Sequence, residues 1–260
     1  MLKKSLAQHL IKDKNIMNKM VRLSRIDKDD VVVEIGAGHG DLTRCLIEKA
    51  GFVYAIELDR TFRQYLEPLE EKTGNVKVIF GNFLDIPLLQ FRKGKNIKIM
   101  GNIPYNITGP ILFKILEERT IIESAYLTMQ KEIALRLVGK PFTRIYGALS
   151  VIFQIFSEVK TLFYLKPTVF IPPPKVDSAF LSIVLKEDEK GTEDALIKFI
   201  KTCFENKRKY MRYSLKKHYG EERVASLYAF MGFSQTTRAE EIEPQKFKEM
   251  YRFLRIKHYI

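Results

Sequence analysis

Short apolar runs along the first two-thirds of the chain alternate with stretches whose apolar residues recur at helical spacing. The runs at 31–35, 52–56, 76–80, 97–100 and 125–129 are rich in Val and Ile and predict buried strands. Between them, helices are predicted over 14–26, 41–49, 61–72 and 108–118, and again from Lys131. Asp13 stands where a cap for the first of these belongs. Two later runs, 150–156 and 180–185, also predict strands, the second alternating through polar Ser182. Strands that alternate with helices indicate an α/β sheet. A charged break with one glycine, 186–192, is the expected linker, and everything from Glu193 onward has helical periodicity only. The expected organisation is therefore an α/β domain over 1–186 and an all-helical domain over 187–260.

The strand ends carry the chemistry. The run 97–100 leads into Gly101-Asn102-Ile103-Pro104-Tyr105-Asn106. Pro104 breaks the ladder because it has no N–H to donate. An amide, a carbonyl and an aromatic ring then leave a strand end together, where open α/β sheets bind ligands. The Asn102 amide oxygen and the Pro104 carbonyl can accept both hydrogens of one amino group, and Tyr105 can stack on a flat ring. An Asn-Pro turn closing a strand would account for these residues alone. What precedes them points further. The strand 31–35 runs into Gly36-Ala37-Gly38-His39-Gly40 and then a helix, the context of a nucleotide-binding turn. Its spacing is G-x-G-x-G, not the G-x-G-x-x-G of a dinucleotide site. The acid at Glu34 suits a cationic ligand better than a phosphate. Glu57 ends the second strand, 21 positions past Gly36, where an acid can accept hydrogen bonds from ribose hydroxyls. Asn82 and Phe83 follow the third strand, placed to bind an adenine amino group and to pack on its ring. Phe170 opens a stiff loop with three consecutive prolines and offers a second stacking face.

Composition adds a partner. The chain has 260 residues, 46% hydrophobic and 29% charged, with a net charge of +13. A balance that basic favours a polyanion, with nucleic acid the first candidate. Bases are dense in the helical tail: Lys198, Lys201, Lys207, Arg208, Lys209, Arg212, Lys216 and Lys217. Phe199, Phe204, Tyr210 and Tyr213 are interleaved with them, which predicts a phosphate-binding surface. The N-terminus is a basic arm ending in Gln8-His9, with no apolar stretch that predicts a secretion signal or membrane span. Cys45 and Cys203 lie far apart with no metal-ligand spacing, consistent with a reducing, cytoplasmic setting.

Taken together, these motifs resemble the KsgA/Erm group of ribosomal RNA adenine dimethyltransferases, on the KsgA side. The resemblance covers residues 5–185. It rests on Gln8 to Ile11, Glu34 to Gly40, Ile56 to Asp59, Gly101 to Asn106, Met129 to Glu132, Tyr146 to Ser150 and Phe170 to Ser178. It implies a Rossmann-like, seven-stranded domain that uses S-adenosylmethionine (SAM), followed by a small helical domain. It implies dimethylation of two adjacent adenines near the 3′ end of small-subunit rRNA, by a monomer acting on rRNA or a pre-ribosomal particle. An Erm-type enzyme acting on large-subunit rRNA is the alternative, as is an assembly factor in which methylation is secondary. By matching position, His9 and Ile11 would close over SAM, Gly36 and Gly38 would lie under its methionine part, and Glu57 would hold its ribose. Leu58, Asn82, Phe83 and Asn102 complete the implied cofactor site. Asn102, Pro104, Tyr105 and Phe170 form the implied catalytic set. The family usually has Asp where Asn82 stands, and Asp85 is the nearest substitute.

Overall fold

In a computed structural model of the chain, all five early strands join one sheet. The structure describes residues 9–186, 193–206 and 209–256. The first eight residues of the basic arm, most of the expected linker, and Lys207 and Arg208 of the basic cluster lie outside the described residues.

The first half runs β1 (Leu10–Ile11), α1 (Lys14–Leu23), β2 (Val31–Ile35), α2 (Asp41–Ile47), β3 (Phe52–Glu57), α3 (Arg63–Lys72), β4 (Val76–Phe80) and β5 (Ile97–Asn102). Then follow α4 (Thr108–Glu117), β6 (Ile122–Gln130), α5 (Lys131–Leu137), α6 (Ala148–Phe156), β7 (Ser157–Leu165), β8 (Phe170–Ile171) and β9 (Ser178–Leu185). Four helices close the chain: α7 (Glu193–Cys203), α8 (Met211–Tyr219), α9 (Glu221–Met231) and α10 (Pro244–Ile256). As expected, the Asp13 carboxylate caps α1, accepting the Asn15 N–H at 2.8 Å.

The large sheet has seven strands in the order β4-β3-β2-β5-β6-β9-β7. The five from β4 to β6 are parallel, and β9 is antiparallel to β6. The chain steps outward from β2 to β4, then returns to lay β5 on the other side of β2. Adjacent β2 and β5 are therefore the point where strand order reverses, and the carboxyl ends there open a crevice. Backbones meet closely at this point. A Cβ placed on Gly101 would lie 2.6 Å from the Ile35 carbonyl oxygen, so only glycine fits.

Two expectations are corrected. Residues 150–156 are not a strand but most of α6. Ser150, Val151, Ile152, Phe153, Ile155 and Phe156 are all buried there. Its two polar residues, Ser150 and Gln154, stand four apart on one helix face, too weak a signal beside five apolar residues, and here the helix forms. The Ser150 hydroxyl accepts the Gly147 N–H at its start. The strand that follows, β7, was missing from the pattern because it is half-exposed without regular alternation.

Contacts divide the chain into two compact units, Met1–Ala134 with Val159–Glu187, and Leu135–Glu158 with Asp188–Ile260. The second unit thus gathers α6 with the tail helices, where the sequence pattern had placed a single division after residue 186. Its core includes Phe199, Phe204, Leu215, Leu227 and Phe247, with the Phe204 and Phe247 rings stacked 5.6 Å apart. Phe199 and Phe204, expected on a basic face, are therefore core residues, and only Tyr210 and Tyr213 remain outward among the interleaved aromatics. Among the described residues, no helix is long and apolar enough to cross a membrane.

The glycine at the strand crossing is testable. Gly101→Ala is expected to destabilise the protein by about 3 kcal/mol, the upper range for overpacking, in urea unfolding. A loss below about 0.5 kcal/mol would mean that β2 and β5 separate at little cost.

Candidate active site

The carboxyl ends of β2, β3, β4 and β5 enclose a cavity of about 270 Å³. Its walls include Gly36, Glu57, Leu58, Asn82, Phe83, Asn102, Pro104 and Tyr105, and His9 and Ile11 cover it from β1. Of the residues singled out from the sequence, Gly38 lies just behind this wall. Its N–H donates to Glu57 Oε2 at 2.8 Å, so the glycine turn and the strand-end acid hold each other. Gly38 has φ +55, and a Cβ there would lie 2.9 Å from the Leu10 side chain. Leu10 therefore seats on the turn, a contact the sequence reading passed over, although it stands between two residues that were picked.

The cover is fastened at several points. Strand β1 pairs antiparallel with β8, Leu10 opposite Ile171 and Ile11 opposite Phe170. His9 Nδ1 contacts the Pro172 carbonyl at 2.7 Å. The Asn102 Nδ2 amide donates to the His9 carbonyl. That bond fixes which way the amide faces, since only its nitrogen can donate to a carbonyl. Asn102 Oδ1 is then left as an acceptor, buried and without a hydrogen-bond partner.

Tyr105 is held at both ends. Its hydroxyl lies 2.6 Å from Ser178 Oγ, and its ring lies 5.2 Å from the His9 ring at 30°. Desolvation raises its pKa, only partly offset by Ser178. Ser178 ends the proline loop, and only its place beside Tyr105 in space reveals a role. The Pro104 carbonyl accepts the Ile107 N–H at 3.2 Å. The Thr108 hydroxyl is 3.3 Å from both the Pro104 and Tyr105 carbonyls and donates to one at a time. When it donates to Tyr105, one lone pair on Pro104 remains open. Phe170 is a correction. It is 1% exposed and lies in the apolar cluster with Ile11 and Phe180, so it presents no open stacking face.

Both acids are buried. Glu57 accepts the Gly38 and Asp59 N–H groups, each at 2.8 Å, yet desolvation still raises its pKa. Glu34 is 1% exposed, and it accepts a hydrogen bond from the Thr43 hydroxyl at 2.6 Å. Burial pushes its pKa up to about 8, with repulsion from Glu57 and Asp41 adding to the effect. Asn82 turns inward on a local network. Its Oδ1 accepts the Leu84 N–H at 3.2 Å, and its Nδ2 donates to Asp85 Oδ2 at 3.0 Å. Asp85 is exposed and does not line the cavity, whereas Asn82 does. Phe83 is buried against the wall, with the Lys114 ammonium 5.8 Å from its ring centre.

Glu34 makes a pH prediction with a definite sign. Its folded pKa stands above the ordinary carboxylate value of 4.5, so the folded protein binds the proton more tightly. The stability this gives is complete below the unfolded value and is lost as pH rises through about 8. Glu34→Gln removes that titration. The stability difference between variant and wild type, from urea unfolding at successive pH values, should move in the variant's favour between pH 5 and 8, by at most on the order of 5 kcal/mol. A pH-independent difference would show that Glu34 is ionised in the fold.

The site has clear relatives. The family model described as ribosomal RNA adenine dimethylase matches residues 1–255. A protein of Chlorobium phaeobacteroides named ribosomal RNA small subunit methyltransferase A is 38% identical over 259 residues, covering 98% of this chain and 94% of its own. One of the same name from Ureaplasma parvum is 34% identical, covering 96% and 93%. Among solved structures, a dimethyladenosine transferase from Plasmodium falciparum superposes with a TM-score of 0.82 at 25% identity, covering 96% of this chain and 98% of that one. The 23S rRNA methyltransferase ErmE shares the fold with a TM-score of 0.74 at 23% identity, covering 95% and 99%. The chain thus belongs to the ribosomal RNA adenine dimethylase family.

Proposed function

We propose that this SAM-dependent enzyme transfers methyl groups to the exocyclic amino groups of two adjacent adenines near the 3′ end of small-subunit rRNA, giving N6,N6-dimethyladenine. The relatives named for the small subunit, matched over nearly their whole length, support that substrate over large-subunit rRNA. One structural observation carries the chemistry: the buried Asn102 Oδ1 with no partner, at the cavity wall. An unsatisfied buried acceptor costs about 1–3 kcal/mol, a cost that a bound donor removes.

The cavity suits SAM. Glu57 uses one lone pair of each oxygen on backbone N–H groups and keeps others for the ribose hydroxyls. Asn82 keeps one N–H and one lone pair after its bonds to Asp85 and Leu84, a donor–acceptor pair that complements an adenine edge. Leu58 and Phe83 supply apolar wall, and His9 and Ile11 lie over the top. When bound, SAM supplies an electrophilic methyl on a cationic sulfur.

The protein's task is to present the acceptor nitrogen. An adenine amino group is a weak nucleophile because its lone pair is delocalised into the ring. Asn102 Oδ1 and the Pro104 carbonyl accept its two N–H bonds, which favours a pyramidal nitrogen and directs the lone pair outward. Both acceptors are fixed beforehand and stabilise positive charge as it develops on nitrogen. Tyr105, pinned by Ser178 and backed by His9, gives the flipped base a ring to stack on. No strong base is needed, because the product ammonium is acidic enough to lose its proton afterwards.

Labelled methyl transfer to isolated small and large subunits tests the substrate. Transfer to the large subunit alone would overturn the proposal. Asn102→Ala should slow single-turnover transfer by about 10²-fold or more with little change in RNA affinity. Near-normal rates would remove the acceptor from this loop. Tyr105→Ala should lose a stacking surface worth about 1–3 kcal/mol per base. Tyr105→Phe keeps the ring and loses only the Ser178 bond, about 1 kcal/mol, so it should stay within roughly tenfold of wild type. Equal loss in both variants would make the hydroxyl the working group.

Asp85→Ala should raise the KM for SAM several-fold by freeing the Asn82 amide, while kcat stays nearly constant. The change belongs to orientation if Asn82→Asp, which needs no orienting partner, makes the Asp85 substitution harmless. An unchanged KM would leave Asp85 without a part in cofactor binding.

A further inference from the structure

The second unit holds a large apolar side chain in solvent by force of its backbone. Phe142 lies in the loop between α5 and α6 with φ +65, a region that bulky residues seldom occupy, and its side chain is 78% exposed. The loop is closely tied. The Thr143 N–H and hydroxyl both donate to the Lys140 carbonyl, at 3.2 and 2.6 Å. The Tyr146 N–H donates to Thr143 O at 3.1 Å, and the Tyr146 hydroxyl donates to the Ile242 carbonyl at 2.6 Å. The Phe142 N–H itself donates to Glu240 O at 2.8 Å. Strain of this kind ordinarily serves to bury a ring or shape a site, and here the ring is not buried.

Glu240 links this loop to a second group of rings. Its side chain pairs with Arg238 at 3.5 Å, and the Arg238 guanidinium lies 5.8 Å from the centre of the Tyr210 ring. Tyr210 and Tyr213 stack 6.3 Å apart at 19°, and Arg212 lies 5.6 Å from the Tyr213 ring centre. Tyr213 is 51% exposed. Aromatic and cationic groups thus follow one another from Arg238 through Tyr210 and Tyr213 to Arg212, and the Phe142 backbone is tied to this series through Glu240. Lys140 and Arg144 stand exposed on either side of Phe142. The neighbouring carboxylates are already engaged, Glu240 with Arg238 and Glu241 with the Arg238 N–H at 3.0 Å. None of these residues lines the cavity.

We propose that Phe142, Tyr210 and Tyr213, with Arg212 and Arg238, form a stacking platform for unpaired nucleotides of RNA. Rings offered to solvent beside cationic side chains, with Lys140 and Arg144 exposed next to Phe142, match the two demands of a single strand, stacking for its bases and positive charge for its phosphates. The net charge of +13 favours RNA over an apolar protein surface as the occupant. The platform rests on the reading that rRNA is the substrate.

The chain contains no tryptophan, so Phe142→Trp introduces a single fluorescent reporter at the tip of the loop. Its emission should be quenched by protein-free small-subunit rRNA. A mixed-sequence single-stranded oligonucleotide should produce the same quenching, and a duplex of equal length should not. Phe142→Ala should weaken binding of the single strand about tenfold, while Phe142→Trp and the SAM affinity of both variants stay near wild type. Tyr213→Trp provides a second reporter, and thermal melting shows whether each variant is folded. The platform is overturned if both reporters stay silent while filter binding shows the RNA bound. It is equally overturned if they respond to intact subunits and not to protein-free RNA, which would make a ribosomal protein the partner. Methyl transfer by the wild type to isolated small subunits, measured alongside, separates the two readings: normal transfer with silent reporters defeats the platform alone, and transfer to large subunits alone defeats both.

Discussion

The close pairing of β2 with β5 at Gly101 is the constraint on which the site depends. At Gly101 the two backbones come within the reach of a Cβ, 2.6 Å from the Ile35 carbonyl to where that carbon would stand. The residues just beyond each strand are thereby brought side by side. On one side the chain turns through the glycines, with Gly36 and Gly38 both at positive φ. On the other it delivers Asn102 and then the break at Pro104. A bulkier residue at 101 would push apart the two halves of the proposed site. Strand reversal supplies the crevice, and the glycine sets its width.

The cover follows from the same geometry. Asn102 uses its amide nitrogen to hold the His9 carbonyl, so the residue proposed to act on substrate also secures β1 over the cavity. Pairing of β1 with β8 does the rest, and Leu10 on Gly38 closes the gap. Each of these contacts joins the start of the chain to a strand end more than twenty residues away. Glu34 and Glu57 are both buried, and desolvation is the largest influence on each. Two buried acids on the wall of one cavity favour a cationic ligand, because its charge offsets their burial more than any neutral ligand can.

Much of this was legible in the chain. Strands β2 to β6 were found within a few residues because each is a Val- and Ile-rich run closed by a turn residue, and fully buried parallel strands must look that way. The positions of Gly36, Glu57, Asn82 and Asn102 follow from the same runs, since a site at strand ends can be located once the strands are. What failed was long-range or without period. Helix α6 is apolar except for Ser150 and Gln154, so its sequence resembled a strand. Strand β7 is half-exposed and irregular, so its sequence resembled a loop. The pairing of β1 with β8 joins two-residue segments some 160 positions apart and leaves no local trace. Phe170 was misjudged for a related reason. A phenylalanine beside prolines promises an exposed ring, and only the tertiary fold shows that β1 covers it.

Asn82 shows how a departure from a family pattern can be absorbed. An aspartate accepts through either oxygen, so its orientation hardly matters. An asparagine works in only one of two orientations, and the wrong one would set its N–H groups against the amino group of an adenine. The chain supplies the missing information nearby. Asp85 accepts from Nδ2 and the Leu84 N–H donates to Oδ1, so each end of the amide is identified by its own partner. Turning the amide over would oppose donor to donor and acceptor to acceptor. The negative charge absent from position 82 stands three residues on, exposed and outside the cavity wall, where it directs the amide without itself being desolvated. Holding the charge at Asp85 adds no carboxylate to the cavity wall, where Glu34 and Glu57 are already made reluctant to ionise by burial.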